Sequence, residues 1–291
     1  MNNKKLQGVL LFLTALLLFA VSDATAKYMT AFFAIPLLMW ARYLVQLVFM
    51  LAAVAPRMGR EIVCTKRPWL MIFRALMQVA STVFVLLAFR TMPLAETTAL
   101  VFISPLLVAL LAGPLLGEKL RLRSWLATLA GFAGVILIVR PGGELAGVGV
   151  FYALCSALTY ALYQLLTRKL ASSEPPMRQL FYIALVGTVC SSFIVPLFWT
   201  GIIPSPTQVL LILSLGFYGG AGHFFLIRAF HEAPASSLSP MLYMQLLWAM
   251  LLGWTVFGQL PDLLSVVGMV IIGASGLSLA VRWPRLASWR K

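Results

Sequence analysis

Histidine, acid and cysteine are scarce in this chain. Two histidines, eight acidic residues and three cysteines are all that its 291 residues hold, and charged residues make up only 10%. His223 and His231 lack the one-turn spacing of a helical metal pair, and no third histidine exists. Glu61, Glu118, Glu144, Glu174, Glu232 and Asp262 fall in expected loops or helix ends, so only Asp23 and Glu96 remain inside apolar segments. That leaves no paired carboxylates for acid–base work, and an enzyme is not expected. Cys64, Cys155 and Cys190 lie far apart and form no CxxC, which supports neither a disulfide framework nor a zinc site. No metal and no cofactor is expected.

What the chain does have is apolar length. Hydrophobic residues make up 62% of it and the mean hydropathy is +0.97. A bilayer-spanning helix needs roughly 20 mostly apolar residues, because hydrocarbon cannot satisfy exposed backbone groups. Ten such runs are predicted, at 6–27, 34–54, 69–89, 94–116, 123–140, 147–168, 178–200, 207–229, 235–258 and 263–282. They lack the two-residue alternation of a transmembrane barrel. The longer connections, PRMGREIVCTKRP and ASSEPPMR, are too short to form a soluble domain.

The net charge of +14 is explained by where the basic residues fall. With the N-terminus in the cytoplasm, seventeen of the 22 lie on cytoplasmic segments, three (Lys27, Arg90 and Arg140) lie on the opposite side, and Arg42 and Arg74 lie within spans. This is the positive-inside pattern of an inner-membrane protein with both termini cytoplasmic, not the footprint of a nucleic-acid binder. Lys4, Lys5 and the Ala24-Thr25-Ala26 run imitate a cleavable signal peptide. Cleavage is not expected, because it would leave nine spans and break an internal match.

That match is a repeat. LLAFRTMPLAETTALVFISP (86–105) is echoed by IRAFHEAPASSLSPMLYMQL (227–246). Ala88, Phe89, Pro93 and Gly117 fall on Ala229, Phe230, Pro234 and Gly258 at a constant 141-residue step. One residue later in register, Gly131, Gly134 and Arg140 fall on Gly273, Gly276 and Arg282. Each copy holds five spans, an odd number, so the second enters the membrane from the other side. Inverted repeats place a site near the midplane at their interface and expose it alternately to each side. The expected fold is all-α integral membrane, ten transmembrane helices as two inverted five-helix repeats, residues 1–145 and 146–291.

The segment PLAETTALVFISPLLVALLAGPLLGEKLRLRSWLATLAGFAGVILIVRP (93–141) resembles the EamA-type repeat of the drug/metabolite transporter superfamily, and the second half resembles it again. The second copy departs at Gln259, where the first has Glu118. SDATAKYM (22–29), FRALM (73–77) and IRAFHEAPASSLSP (227–240) are similar to the subgroup that includes carriers of S-adenosylmethionine and of riboflavin. The resemblance implies a ten-helix fold and transport of a small metabolite.

Ionisable groups inside a span cost roughly 2.5–3.5 kcal/mol at its centre on insertion scales, so each needs a partner, a cavity or an escape to the surface. Asp23 with Lys27, Arg42 with Gln46, and Arg74 with Gln78 each form an i, i+4 pair on one helical face. They are candidate lining of one cavity. The competing readings are an intrahelical ion pair for Asp23 and Lys27, and a snorkelling anchor for Arg74. In the second half Tyr160, Tyr163, Gln164, His223, Tyr243, Gln245 and Trp248 are candidate binding groups whose aromatic faces suit planar or cationic ligands. GFYGGAGH (216–223) permits close helix approach, and it is no phosphate loop, since no strand precedes it and no GK[ST] follows.

The expected function is an inner-membrane secondary transporter that moves a small polar or aromatic metabolite by alternating access, an exporter with Asp23 as candidate proton-coupling group. The alternative is an uptake carrier or facilitator for riboflavin or S-adenosylmethionine. Expected partners are the small-molecule substrate, the lipid bilayer and, in an assembly, a second copy as a homodimer, with no nucleic acid. Glu96 is expected to cap its helix rather than face the path.

Overall fold

A computed structural model describes residues 3–116, 122–139, 145, 147–170, 173–199, 201–232 and 239–280. The described residues are helical almost throughout. The elements are α1 (Asn3–Met29), α2 (Ile35–Ala53), α3 (Ala55–Met58), α4 (Pro68–Phe89), α5 (Leu94–Val101) and α6 (Ser104–Leu116) in the first part. They continue as α7 (Leu122–Val139), α8 (Gly147–Leu170), α9 (Pro176–Ile194), α10 (Pro206–Glu232), α11 (Met244–Phe257) and α12 (Leu263–Ala280). Six of these are long and apolar enough to cross a membrane, and four shorter apolar helices overlap the remaining predicted spans. The Gly117-Glu118 helix end, Pro234, Arg140 and Arg282 lie outside the described residues.

Local sequence sets the helix ends. Prolines open α2, α4 and α9 in the first turn, where a missing N–H costs nothing. Gly258 ends α11 at a positive φ of 65°. There its N–H bonds Trp254 and the N–H of Gln259 bonds Gly253, which satisfies carbonyls that the helix leaves open.

The predicted span 94–116 is not one helix. It breaks after Val101, and α6 begins at Ser104 with Pro105 in its first turn. Proline has no N–H to give to Val101 and its ring crowds that carbonyl, so the helix restarts. The second half breaks at the same place: a 3₁₀ turn over Ser239–Tyr243 passes into α11 at Met244, which stands 141 residues after Ile103. Phe102 and Tyr243, also 141 apart, meet across the two breaks with ring centroids 5.7 Å apart.

The same step relates whole helices. Ile35 and Ala53 bound α2, and Pro176 and Ile194, each 141 residues on, bound α9. Helix pairing follows the repeat as well. α1 lies along α10 as α8 lies along α4, α2 packs on α10 as α9 packs on α4, and α2 on α9 and α7 on α12 pair each helix with its own counterpart. The two copies are thus interleaved. α7 and α12 cross closely at Gly134 and Gly268, where a Cβ on Gly134 would stand 2.7 Å from the carbonyl oxygen of Gly268. Phe193, Leu197, Ile203 and Val270 are exposed on the outer surface, as lipid-facing side chains are.

Candidate functional site

The predicted polar residues fall into one central group and several outliers. The group draws α1, α2 and α4 from the first copy and α8, α10 and α11 from the second. Asp23 on α1 accepts a bond of 3.4 Å from Gln245 Nε2 at the start of α11, and its charge reaches Arg42 on α2 and Tyr160 on α8. Tyr160 and Tyr163, three residues apart on α8, stack with centroids 5.6 Å apart and planes inclined by 20°. Arg74 lies over the Tyr163 ring at 4.6 Å. His223 on α10 sits in the electrostatic range of both Arg42 and Arg74, edge-on to Phe19 at 5.0 Å.

The glycines of GFYGGAGH make room for this group. A Cβ on Gly216 would meet Val45 and the carbonyl of Arg42, and one on Gly222 would meet Phe19. At Gly219 the nearest atoms to such a Cβ are Nε and Nη2 of Arg42, at 3.7 and 3.9 Å. These gaps let α2 and α1 approach α10 closely and present Arg42 and His223 to the same space.

Arg74 does not snorkel. It is 1% exposed, and its Nε donates to Thr167 Oγ1 at 2.7 Å, Nη1 to the carbonyl of Gln179 at 3.0 Å and Nη2 to the Tyr163 hydroxyl at 3.1 Å. Burial of a guanidinium is tolerated here because three acceptors and an aromatic face replace its water. Lys27 is likewise engaged away from Asp23: its ammonium donates to the carbonyls of Phe89 at 2.8 Å and Met92 at 2.5 Å, at the end of α4, and lies 5.4 Å from the Phe257 ring. A cation at a helix C-terminus meets the negative end of the dipole. The ammonium caps α4 instead of forming the i, i+4 ion pair.

Gln46 is buried on α2 and Gln78 is half-buried on α4, each one turn beyond its arginine. Gln164, on α8, donates to Ser104 at 3.5 Å. Two candidates are placed elsewhere. Tyr243 packs on Phe102 with its hydroxyl against Gly276, and the Trp248 side chain joins Phe12, Leu16 and Ala229 with its indole N–H buried and unpartnered. Glu96 occupies the third position of α5, 5% exposed, with Oε2 unpartnered.

Several groups that hold the site together escaped prediction. Ser81 and Ser156 bond each other hydroxyl to hydroxyl at 3.0 Å, between α4 and α8. Tyr43 and Thr82 share a bond of 2.8 Å between α2 and α4. Thr167 stands one turn after Tyr163 on the same face, which was the available signal; small hydroxyls in apolar helices otherwise read as self-satisfied.

At one end of the site, outside the membrane-spanning segments, Glu174 accepts from Thr65 Oγ1 at 2.5 Å and from Arg178 Nη1 at 2.6 Å. Burial pushes the Glu174 carboxyl up, and these two bonds with the Arg178 charge together outweigh it, holding the group below the usual range. Cys64, Thr65, Lys66, Ser173, Glu174 and Arg178 line a cleft of about 530 Å³ there.

The EamA-like transporter family matches the chain twice, over residues 6–140 and 147–281. An S-adenosylmethionine uptake transporter of Rickettsia prowazekii (strain Madrid E) is 26% identical over 275 residues, which cover 92% of this chain and 90% of that one. A riboflavin transporter of Vibrio cholerae serotype O1 is 28% identical over 280 residues, covering 95% and 92%. A solved crystal structure superposes with a TM-score of 0.67 at 20% identity, covering 94% of this chain and 96% of that one, a likeness of fold.

Proposed function

Since the chain belongs to the EamA-like transporter family, a family of the drug/metabolite transporter superfamily, we propose that it is a secondary carrier of the inner membrane whose ten helices form two inverted repeats, residues 1–145 and 146–291. Both termini are cytoplasmic in this reading, which rests on the distribution of Lys and Arg. Rocking of the repeats exposes the central group to either side in turn. The broken spans, α5 with α6 and the Ser239–Tyr243 turn with α11, supply the irregular backbone that such sites use.

One observation carries the substrate class. The Asp23 carboxylate lies within electrostatic reach of the Arg42 guanidinium and of Tyr160, and Tyr160 stacks on Tyr163. An anion, a cation and an aromatic pair together fit a zwitterion that carries a planar ring. S-adenosylmethionine is such a molecule, and the activity named for the Rickettsia relative makes it the first choice, with uptake favoured over export. Asp23 takes the cationic groups, Arg42 the carboxylate, and the tyrosines the ring. Riboflavin is the second reading, favoured by the tyrosine pair alone and by the Vibrio relative.

Counterflow by purified protein in liposomes, with labelled S-adenosylmethionine, riboflavin and aromatic amino acids, tests the assignment. Asp23→Asn should lower exchange of S-adenosylmethionine by about tenfold or more, the worth of one charge-assisted bond, and leave riboflavin exchange little changed. Equal loss for both substrates would remove Asp23 from cation recognition. Asp23 is also the proposed proton-linked group; unchanged acceleration by a pH gradient in Asp23→Asn would sink that role.

A further inference from the structure

The repeat relation allows the two ends of the site to be compared residue by residue. The 141-residue step that carries α2 onto α9 carries Arg74 to Leu215, and it carries Ser22, Ala26 and Leu38 to Tyr163, Thr167 and Gln179. The latch around Arg74 therefore has a counterpart at the opposite end, built of different chemistry. Leu215 is 1% exposed and belongs, with Ala26 and Leu38, to the large apolar core that runs between the repeats. Ser22 stands where Tyr163 does, fully buried, its Oγ without a partner. A guanidinium with three acceptors stands at one end, and hydrocarbon stands at the other.

We propose that Arg74 is the gate at its end of the pathway: a latch tying α4 to α8 and α9 that opens when an anionic group of the substrate takes over the guanidinium. The opposite end closes by dry packing of Leu215 with Ala26 and Leu38. This deepens the carrier reading and rests on it.

The physical asymmetry follows from the chemistry of the two closures. Separating a buried guanidinium from its acceptors without a replacement leaves an uncompensated charge, a large penalty. A carboxylate moving along the tyrosine pair supplies that replacement, because Tyr163, which touches Arg74, stacks on Tyr160, which borders Asp23. The apolar end needs no such partner, since its opening only wets hydrocarbon surface. Substrates with an oxyanion pass the Arg74 end quickly, and uncharged ring compounds pass it slowly. Arg74 thereby filters substrates as well as closing the path.

The test reads accessibility at Gly219→Cys, introduced after Cys64, Cys155 and Cys190 are replaced by serine. A side chain fits at 219, whose nearest neighbours are the tips of Arg42 at 3.7 and 3.9 Å. A protein retaining only the exposed Cys64, four residues before α4, marks which face of sealed vesicles is the Arg74 end. In Arg74→Leu, which copies the opposite end, labelling of position 219 by a membrane-impermeant maleimide from the Cys64 face should rise at least about tenfold, the shift in closed population that loss of even one of the three charge-assisted bonds would give. Tyr163→Phe with Thr167→Val keeps the arginine and should give a smaller rise from the same face, which covers a failure of Arg74→Leu to fold. Unchanged labelling from that face in both variants overturns the gate. Absence of counterflow in the unmodified protein overturns the carrier reading instead, so the two failures are told apart.

Discussion

Lys27 carries a lesson about single charges in this molecule. Its ammonium closes the end of α4 through the carbonyls of Phe89 and Met92, a bond that ties α1 to α4. Lys27→Met should cost about 1–3 kcal/mol, the penalty for leaving buried polar groups unpaired, seen as a lower thermal midpoint of the purified protein, while counterflow at low temperature persists. Glu174 offers the complementary case of an acid. Its folded carboxyl is held below the unfolded value of 4.5, so its contribution is present above that value and is lost as pH falls through the depressed folded value. Proteolysis of the connection between α3 and α4 should therefore accelerate on acidification below about 4.5. In Glu174→Gln it should already be fast at neutral pH and vary less across that window.

At the scale of helices, the crossing of α7 and α12 depends on the absence of side chains. A Cβ on Gly134 would meet the Gly268 carbonyl at 2.7 Å and Ile272 at 2.9 Å, and backbone cannot yield as a side-chain tip can. Gly134→Val should destabilise by about 1–3 kcal/mol or more through overpacking, whereas Gly147→Ala, with nothing within 4 Å, should be nearly silent; denaturation of both variants in detergent decides. Helix existence was legible in the sequence, because apolar length has one meaning in a bilayer. The break at Phe102 was less so: Pro105 announced it, but hydropathy sums over a window and passes across a kink. Of the candidate site, the titratable members stood out in the sequence, since Asp23, Arg42 and Arg74 had to be explained inside spans. Their partners did not, because a donor such as Arg74 chooses among carbonyls and hydroxyls on other helices, and one sequence does not reveal which helices touch. Tyr243 was read as lining because it is an aromatic within a span, and its contacts with Phe102 and with the glycines of α12 were equally hidden from the sequence.

Across the whole molecule, polar side chains tie the two copies together at several levels. Ser81 and Ser156 link α4 to α8 hydroxyl to hydroxyl, and each hydroxyl also reaches the other residue's backbone carbonyl; a double-mutant cycle with alanine at both should return a coupling of about 0.5–1.5 kcal/mol, and zero coupling would mean that the carbonyls of the facing helix alone hold the two hydroxyls. The interleaving of the copies, α1 along α10 and α4 along α8, bears on biogenesis. During synthesis α1 to α7 enter the bilayer before α8 has been made, and at that stage Arg74 has none of its partners, for Tyr163, Thr167 and Gln179 all lie in the later half. Until those residues are made the guanidinium has no buried acceptor, and from the second turn of α4 it must reach toward the membrane surface for water. The order of synthesis therefore delays the burial of Arg74 until the second copy arrives.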